Sequence, residues 1–360
     1  MSVTQGSLKG VITAASGRGK GSINVSNTKN IDKESKFVEE MYDKRDENIE
    51  LRKSNAQKFV DSFYSIATDF YETGWGQSFH FAPRGNQETF RESIIRHEHY
   101  LALKLNIKPD DVVLDLGCGI GGPMRNIHQF TGANIVGVTI NQYQVNRGNE
   151  INKSEGFGDK CVLKQGDFCK LAAFKDNTFD KIFAIESTCH APNRCEVYDQ
   201  VFRVLKPGGI FASYEWVLCD DKFDYKNKDH LQIKYEVEKG NALPDLITDK
   251  ECIENFKQSG FEVISVEDLD QTSREKGQIP WHSSLLAKCS VDNMQHTYCG
   301  ALFTHYLTWF LETVQLAPKG TFKTHEILRV ARDGLVKAGE TQVFTPMLLV
   351  IAKKPEEKSL

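Results

Sequence analysis

The sequence lacks the features that would direct it to a membrane interior or to nucleic acid. It has no run of eighteen or more apolar residues, and about that length is needed to cross a bilayer as a helix. The net charge is −4, which argues against a phosphate backbone as partner. Its nine cysteines form no C-x-x-C pair, so we predict no metal site and no disulfide framework. We therefore expect a globular protein with reduced thiols that faces the cytosol.

A glycine-rich turn follows the first predicted strand. Asp115 precedes the run Gly117-Cys118-Gly119-Ile120-Gly121-Gly122, in which glycines let the main chain approach a ligand. The run has the G-x-G-x-x-G form of a dinucleotide site, but such a site needs an acid about 20 residues further on. None occurs between Gly119 and Asn149. The turn instead resembles the D-x-G-x-G motif of class I S-adenosylmethionine (SAM)-dependent methyltransferases, with a dinucleotide site or a turn without ligand as alternatives.

Alternating strands and helices predict a doubly wound α/β sheet, which binds ligands at the carboxyl ends of its strands. Gly166, Asp167 and Phe168 follow the third predicted strand, where the carboxylate and the ring could contact an adenine. Glu186 follows the fourth strand, and His190 lies four residues beyond it. The alternatives are a helix cap beside a core phenylalanine and a pair of structural residues. Two titratable groups at a strand end favour a functional site.

The passage Tyr71 to Phe81 carries aromatic residues that follow neither a helical nor an alternating period. Two glycines interrupt it, so we predict a loop that either walls a pocket or fills the core. The pattern along the whole chain also predicts five segments. They are a disordered tail (1–35), a helical cover with the aromatic loop (36–105), a ligand-binding core (106–217), an inserted lid (218–260) and a region that completes the sheet (261–355).

Three separated passages together resemble the sterol 24-C-methyltransferase family. They are residues 71–81, residues 114–123 and the run Phe183-Ala184-Ile185-Glu186-Ser187-Thr188-Cys189-His190-Ala191-Pro192. The resemblance covers about residues 36–355 and implies a Rossmann-like class I methyltransferase fold. Thr73 and Ser187 depart from the residues common in the family, which could alter sterol preference.

The resemblance assigns roles to particular residues. It implies catalytic roles for Tyr71, Glu72, Trp75, Glu186 and His190. It implies cofactor contacts for Asp115, Gly117, Gly119, Asn141, Gln142, Gly166, Asp167 and Phe168. The cofactor would be S-adenosyl-L-methionine, with S-adenosyl-L-homocysteine as its product.

The implied reaction is methylation of the Δ24 side-chain double bond of a zymosterol-, lanosterol- or cycloartenol-like sterol. A carbocation would form, shift a hydride and lose a proton, so aromatic faces and a base are needed. Glu72, Glu186 and His190 are all candidate bases. The resemblance also implies peripheral contact with the cytoplasmic side of the endoplasmic reticulum membrane, through residues 218–246 and 279–281, and is compatible with a homo-oligomer. Alternatives are methylation or cyclopropanation of another lipid, such as a tocopherol precursor, and a non-catalytic sterol- or SAM-binding protein.

Overall fold

A computed structural model of the protein describes residues 31–42, 49–286 and 298–356. Its helices are α1 (Ile31–Glu40), α2 (Ile49–Ser54), α3 (Ala56–Gly74), α4 (Phe90–Leu105), α5 (Gly122–Thr131), α6 (Gln142–Ser154), α7 (Arg194–Val204), α8 (Lys228–Asn241), α9 (Asp249–Gln258), α10 (Leu269–Glu275), α11 (Tyr298–Thr313) and α12 (Thr321–Thr341). Its strands are β1 (Val112–Leu116), β2 (Asn134–Thr139), β3 (Cys161–Gln165), β4 (Phe179–Ile185), β5 (Leu205–Leu218), β6 (Glu262–Asp268) and β7 (Phe344–Lys353). Short 3-10 helices lie at Thr188–His190 and Trp281–Ser284. The predicted tail lies outside the described residues except for residues 31–35, which begin α1.

The strands form one mixed sheet in the order β3-β2-β1-β4-β5-β7-β6. Strands β1 to β5 run parallel to one another, whereas β7 runs antiparallel to both β5 and β6. The chain order reverses between β1 and β4, and the carboxyl ends of the strands at such a point form a ligand-binding crevice. The predicted doubly wound α/β sheet is confirmed.

Both faces of the sheet are buried because helices cover them. Along β1, Val113 belongs to one apolar cluster, and Leu114 and Leu116 belong to a second. Phe183 and Ile182 divide in the same way on β4, as expected when successive side chains point to opposite faces. Central parallel strands therefore show continuous apolar runs.

A third cluster joins the N-terminal helices to the C-terminal ones. Phe59, Phe63 and Ile66 on α3 pack with Ala242, next to the end of α8, and with Ile327 on α12. These helices cover the edge of the sheet where the strands end. Within the segment predicted as a lid, α8 joins this cover, whereas α9 packs into the sheet core through Cys252 and Phe256. The functional division of the segments remains a prediction.

The aromatic passage was predicted as a loop, and that is wrong for its first four residues. Helix α3 extends to Gly74, and the N–H of Trp75 donates to the carbonyl oxygen of Tyr71 in the last turn. Tyr71 continues the buried stripe of α3, because its ring lies 6.4 Å from that of Phe63. This packing keeps the residues helical up to the glycine. Tyr71 and Glu72 therefore lie on a helix, and the loop begins after Gly74.

Candidate active site

The carboxyl ends of β1, β2 and β4 open into a cavity of about 270 Å³. The cavity is lined from below by the glycine turn after β1 and by the residues that follow β2 and β4. One face of α3, with Gln57, Val60 and Tyr64, lines it from the other side. A crevice at the point where strand order reverses is the position that the sequence predicted for the site.

The turn after β1 requires glycine. Gly117, Gly119 and Gly121 have φ angles of +84°, +54° and +82°, a region that side chains with a Cβ atom rarely adopt. A Cβ atom on Gly117 would lie 2.3 Å from the Cβ atom of Ser187. One on Gly122 would lie 2.2 Å from the carbonyl oxygen of Gln77. The turn is therefore packed tightly against both the β4 end and the aromatic loop.

Asp115 has an unpaired buried carboxylate oxygen at this turn. The residue is 2% exposed and lines the cavity, and its Oδ2 atom has no hydrogen-bond partner within the described protein. Burial raises the pKa of Asp115 well above its usual value. Buried polar atoms without partners are rare in native proteins. Such an atom at the wall of a cavity fits a polar group of a ligand.

The residues after β2 differ from the prediction. Asn141 is buried and caps α6, and its Nδ2 atom donates to Asp61 Oδ1 and Ser65 Oγ, each at 2.8 Å, so it holds α3 against the sheet. Gln142 is exposed and donates to Asn146. Neither predicted residue lines the cavity. The residues here that do line it are Thr139, Ile140 and Gln144.

Asp167 and Phe168 line the cavity after β3, as predicted. The Oδ1 atom of Asp167 accepts the N–H of Cys169 at 2.9 Å, and its Oδ2 atom lies 3.5 Å from Lys170 Nζ. The N–H of Gly166 donates to the carbonyl oxygen of Thr139, which joins the β2 and β3 ends. The carboxylate thus caps its own turn while it faces the cavity.

Glu186 is held in an unusual conformation directly after β4. Its φ angle is +52°, a region sparsely populated by residues other than glycine, and such strain is concentrated at functional sites. Its Oε1 atom accepts the N–H of Phe81 and its Oε2 atom accepts the indole N–H of Trp216, both at 2.8 Å. Burial raises the pKa of Glu186 to about 8. The cavity therefore contains a carboxyl group that can take up and release a proton near neutral pH.

His190 lies in the same cavity beside a residue that the sequence prediction missed. The hydroxyl of Tyr64 and the Nε2 atom of His190 are 2.9 Å apart, and His190 Nδ1 lies 3.4 Å from the carbonyl oxygen of Ala242. Burial lowers the pKa of His190 to about 4, so the ring is neutral at pH 7. The spacing of Gln57, Val60 and Tyr64, three and then four residues apart, could have indicated a second functional face on α3.

The three predicted catalytic residues of the aromatic passage lie outside the cavity lining. Glu72 forms an ion pair with Arg147 on α6, with Nε to Oε2 at 2.9 Å. The Tyr71 ring packs behind that of Phe79, with centroids 5.5 Å apart, and the indole N–H of Trp75 donates to the carbonyl oxygen of His80. The ring of this passage that does line the cavity is that of Phe79.

Two family models match the sequence: "Methyltransferase domain" over residues 107–277 and "Sterol methyltransferase C-terminal" over residues 291–356. Cycloartenol-C-24-methyltransferase 1 of Oryza sativa is 45% identical over 307 residues, which cover 85% of this chain and 88% of that protein. Sterol 24-C-methyltransferase of Saccharomyces cerevisiae is 42% identical, over 85% of this chain and 81% of that protein. The chain belongs to the sterol 24-C-methyltransferase family. The resemblance found in the sequence is thereby confirmed.

Solved structures support the fold of this sterol 24-C-methyltransferase family member. The [4+2]-cyclase SpnF superposes with a TM-score of 0.64 at 17% identity, over 84% of this chain and 97% of that one. A geranyl diphosphate methyltransferase bound to GPP and sinefungin gives a TM-score of 0.59 at 15% identity, over 83% and 99%. The predicted class I methyltransferase fold is confirmed.

The methyl donor of this methyltransferase is SAM, as predicted. The site fits that cofactor on its own geometry, because Gly117 and Gly119 of the turn line the cavity and the unpaired oxygen belongs to Asp115, which also lines it. The adjacent Asp167 and Phe168 add a carboxylate and a ring. The positively charged sulfonium and amino groups of SAM match the acidic character of these side chains.

Proposed function

We propose that this family member methylates the Δ24 double bond of a sterol side chain and that Glu186 removes the proton that completes the reaction. The observation that carries the proposal is the Glu186 carboxyl group, buried in the cavity with a pKa of about 8. A general base is most effective when its pKa lies near the working pH. The family relatives named above methylate sterols at C24, which supports the choice of substrate.

We assign the cofactor to the glycine-turn side of the cavity. Gly117 and Gly119 would admit it close to the main chain, and Asp115 would bind a polar group through its free oxygen. Asp167 and Phe168 would contact the adenine, as the sequence suggested. SAM supplies an electrophilic methyl group when bound. The residues of this chain hold that group against the sterol side chain and exclude water.

Aromatic faces in the cavity suit a cationic intermediate on the sterol. The rings of Tyr64, Phe79 and Phe168 line the cavity. A desolvated cation gains about 2 kcal/mol or more from an aromatic face in good geometry. Phe79 also lies over the turn, 3.5 Å from the position that a Cβ atom on Gly119 would take. We therefore assign stabilisation of the cation to Phe79, which lines the cavity, and not to Tyr71, which does not.

The candidate bases differ in their surroundings. Glu186 stays protonatable near neutral pH, whereas the nitrogen of His190 that faces Tyr64 already accepts or donates a hydrogen bond and the pKa of the ring is about 4. Glu72 forms its ion pair with Arg147 on α6 and does not line the cavity. These contacts favour Glu186 as the base and Tyr64 and His190 as groups that shape the cavity.

The test is transfer of label from methyl-labelled SAM to a lipid panel. The panel contains sterols with the Δ24 bond, the same sterols reduced at that bond, unsaturated phospholipids and tocopherol precursors. We expect label only in the Δ24 sterols. Label that appears equally in the reduced sterols, or only in phospholipid or tocopherol precursors, would contradict the proposed substrate. The Glu186→Gln variant should bind SAM but release no labelled sterol product.

We also propose that helix α11 docks on a membrane surface, from which the enzyme takes its sterol. Tyr306, Trp309 and Phe310 are 61%, 52% and 51% exposed, and Val314 continues the same face at helical spacing. The helix also packs on α12, and Thr308 on its opposite face is buried. Tryptophan and tyrosine favour the membrane interface. Among the described helices, none combines the length and the apolar character needed to cross a bilayer.

We propose this surface in preference to the one predicted around residues 279–281. Trp281 is 1% exposed, because its ring packs against Phe81 and Phe344 with centroids 4.7 and 6.0 Å apart. It therefore cannot reach a bilayer. Residues 218–246 have mixed exposure, since residues 240–244 are buried whereas Tyr225 and Leu231 are 54% and 36% exposed. A peripheral position on the cytoplasmic side of the endoplasmic reticulum remains our proposal, as does a homo-oligomer, which light scattering would test.

Flotation with sterol-containing liposomes tests the docking surface. We expect the wild-type protein to float and the Trp309→Ser/Phe310→Ser variant to remain largely in the soluble fraction. Leu103→Ser is the matched control, because Leu103 is 63% exposed on α4, away from α11. If the wild type stays soluble at low and high salt, or if both variants float equally well, α11 does not dock on the membrane.

A further inference from the structure

Glu186 accepts a hydrogen bond from the peptide group between His80 and Phe81, and further hydrogen bonds position that peptide group. The peptide between His80 and Phe81 donates its N–H to Glu186 Oε1 at 2.8 Å. The carbonyl oxygen of the same peptide accepts the indole N–H of Trp75 at 3.0 Å. Trp75 therefore acts on Glu186 through one peptide unit, without touching the cavity. Any shift of this peptide would move or release the carboxyl group.

The side chain of His80 fixes the next peptide. Its Nδ1 atom lies 2.8 Å from the carbonyl oxygen of Phe81, and its Nε2 atom lies 3.0 Å from Glu98 Oε1. The other Glu98 oxygen accepts the side-chain N–H of Asn126 at 2.6 Å. His80 and Glu98 are 2% and 0% exposed. Both ring nitrogens face oxygen acceptors, an arrangement that only the imidazolium form satisfies.

We propose that the buried His80–Glu98 pair is a positioning unit of the active site, which holds the Phe81 peptide and places a positive charge behind Glu186. The proposal rests on the role of Glu186 proposed above and extends it to two residues that do not touch the substrate. Glu98 contacts the His80 ring, the ring contacts the carbonyl oxygen of Phe81, and the Phe81 N–H donates to the Glu186 carboxyl group. Variants in which His80 or Glu98 is shortened or loses its charge should change the proton affinity of Glu186 more than they change cofactor binding.

The charge of His80 works against the effect of burial. Burial raises the pKa of Glu186, and the His80 cation offsets part of that rise. Other titratable groups around the two residues are Tyr64, His97, Asp115, Cys189 and His190. Of these, His97 and His190 have lowered pKa values through burial, so both rings are neutral at pH 7, and burial raises the pKa of Asp115. The charge that acts directly on the pKa of Glu186 is that of His80, which Glu98 contacts on its other side.

The indole of Trp216 gives a direct readout of Glu186, because its N–H donates to Glu186 Oε2. The chain has four tryptophans, so the indole signal of Trp216 in a nitrogen-15 NMR spectrum can be assigned with Trp216→Phe. We expect this signal to titrate near pH 8 in the wild type. Glu98→Gln keeps a hydrogen-bond acceptor for His80 but removes the charge that stabilises the His80 cation. His80 should then become neutral, and without its positive charge the midpoint should rise by about one pH unit. The pH profile of kcat should move in the same direction, while the Kd of SAM changes less than about threefold.

Glu92→Gln is the matched control. It also removes one carboxylate from α4, but Glu92 is an exposed capping residue that contacts Thr89. Its indole titration and kcat profile should equal those of the wild type. Removing one partner of a buried ion pair can prevent folding, whereas replacing both is often tolerated. His80→Gln/Glu98→Gln is therefore the second variant, and it should show the same upward shift of the indole midpoint.

An unchanged indole midpoint in both folded variants would overturn the positioning role. That result is distinct from failure of the proposed reaction, which would appear as full label transfer by Glu186→Gln. If Glu186→Gln is inactive and the Glu98 variants titrate like the wild type, Glu186 acts without the pair. If the midpoint rises and kcat follows it, the positioning role is supported.

Discussion

Replacing Glu186 by glutamine should make the protein more resistant to unfolding at high pH while it abolishes turnover. The glutamine side chain has nearly the same shape but carries no titrating proton. In the wild type, burial raises the pKa of Glu186 from 4.5 to about 8, so the folded protein favours the protonated carboxyl. The stability that depends on this proton is fully present below pH 4.5 and is lost as the pH rises towards 8. The variant has no such loss.

The magnitude follows from the size of the shift. Each pKa unit corresponds to about 1.4 kcal/mol, so the change from 4.5 to about 8 sets an upper limit of about 5 kcal/mol. A constant penalty of about 1–3 kcal/mol acts against the variant, because the amide group cannot accept from both Phe81 and Trp216. The pH-dependent part is separated from this penalty by comparing two pH values.

The assay is urea unfolding of the cofactor-free wild type and Glu186→Gln at pH 5 and pH 8.5. We expect the free energy of unfolding of the variant, relative to the wild type, to increase by several kcal/mol between the two. Other titrating groups affect both proteins alike and cancel in the difference. A difference that is the same at both pH values would show that Glu186 ionises normally, and would remove the physical basis for its role as a base.

Two further predictions concern the turn and the rings. Gly117→Ala should weaken SAM binding more than tenfold in calorimetry, because its Cβ atom would lie 2.3 Å from that of Ser187. Gly156→Ala has the same φ of +84° but no atom within 4 Å of its Cβ position, so it should bind SAM normally. Equal losses of SAM affinity in both variants would mean that backbone strain alone causes the loss. Phe79→Leu should lower kcat by about tenfold to thirtyfold with a smaller change in SAM affinity. Tyr71→Leu should lower kcat less, because the Tyr71 ring only packs behind that of Phe79. A larger loss of kcat in Tyr71→Leu would show that Tyr71, and not Phe79, stabilises the cation.

The sequence predicts the ligand end of the sheet well because the signals there are local. β3 ends at Gln165 and β4 at Ile185, directly before Gly166 and Glu186, as predicted. Asp115 and Glu186 lie where the strand ends place them, and a strand's direction decides the edge at which its last residue lies. The glycine turn is readable for the same reason, since its backbone angles depend on adjacent residues.

Contacts made across the sequence were not predictable in this way. Asn141 and Asp61 are 80 residues apart, and Glu72 and Arg147 are 75 apart, so each polar side chain finds its partner only after α3 has packed on the sheet. Tyr64 enters the site through the same packing. An acidic residue can serve as a general base or as one partner of an ion pair. The side chains that face it in the folded protein decide which role it has. The sequence does not contain that information locally.

The placement of β7 between β5 and β6 affects how the chain can fold as it is synthesised. β6 is synthesised 85 residues before β7 is complete, yet in the described sheet it pairs with β7 alone. Until then, the edge of β5 that β7 later covers is unpaired, and β6 has no neighbouring strand. Unpaired strand edges can pair with strands of other chains. Contacts of such large sequence separation also slow folding. We therefore expect nascent chains stalled before Phe344 to depend on chaperones, even though the core from β1 to β4 is already complete.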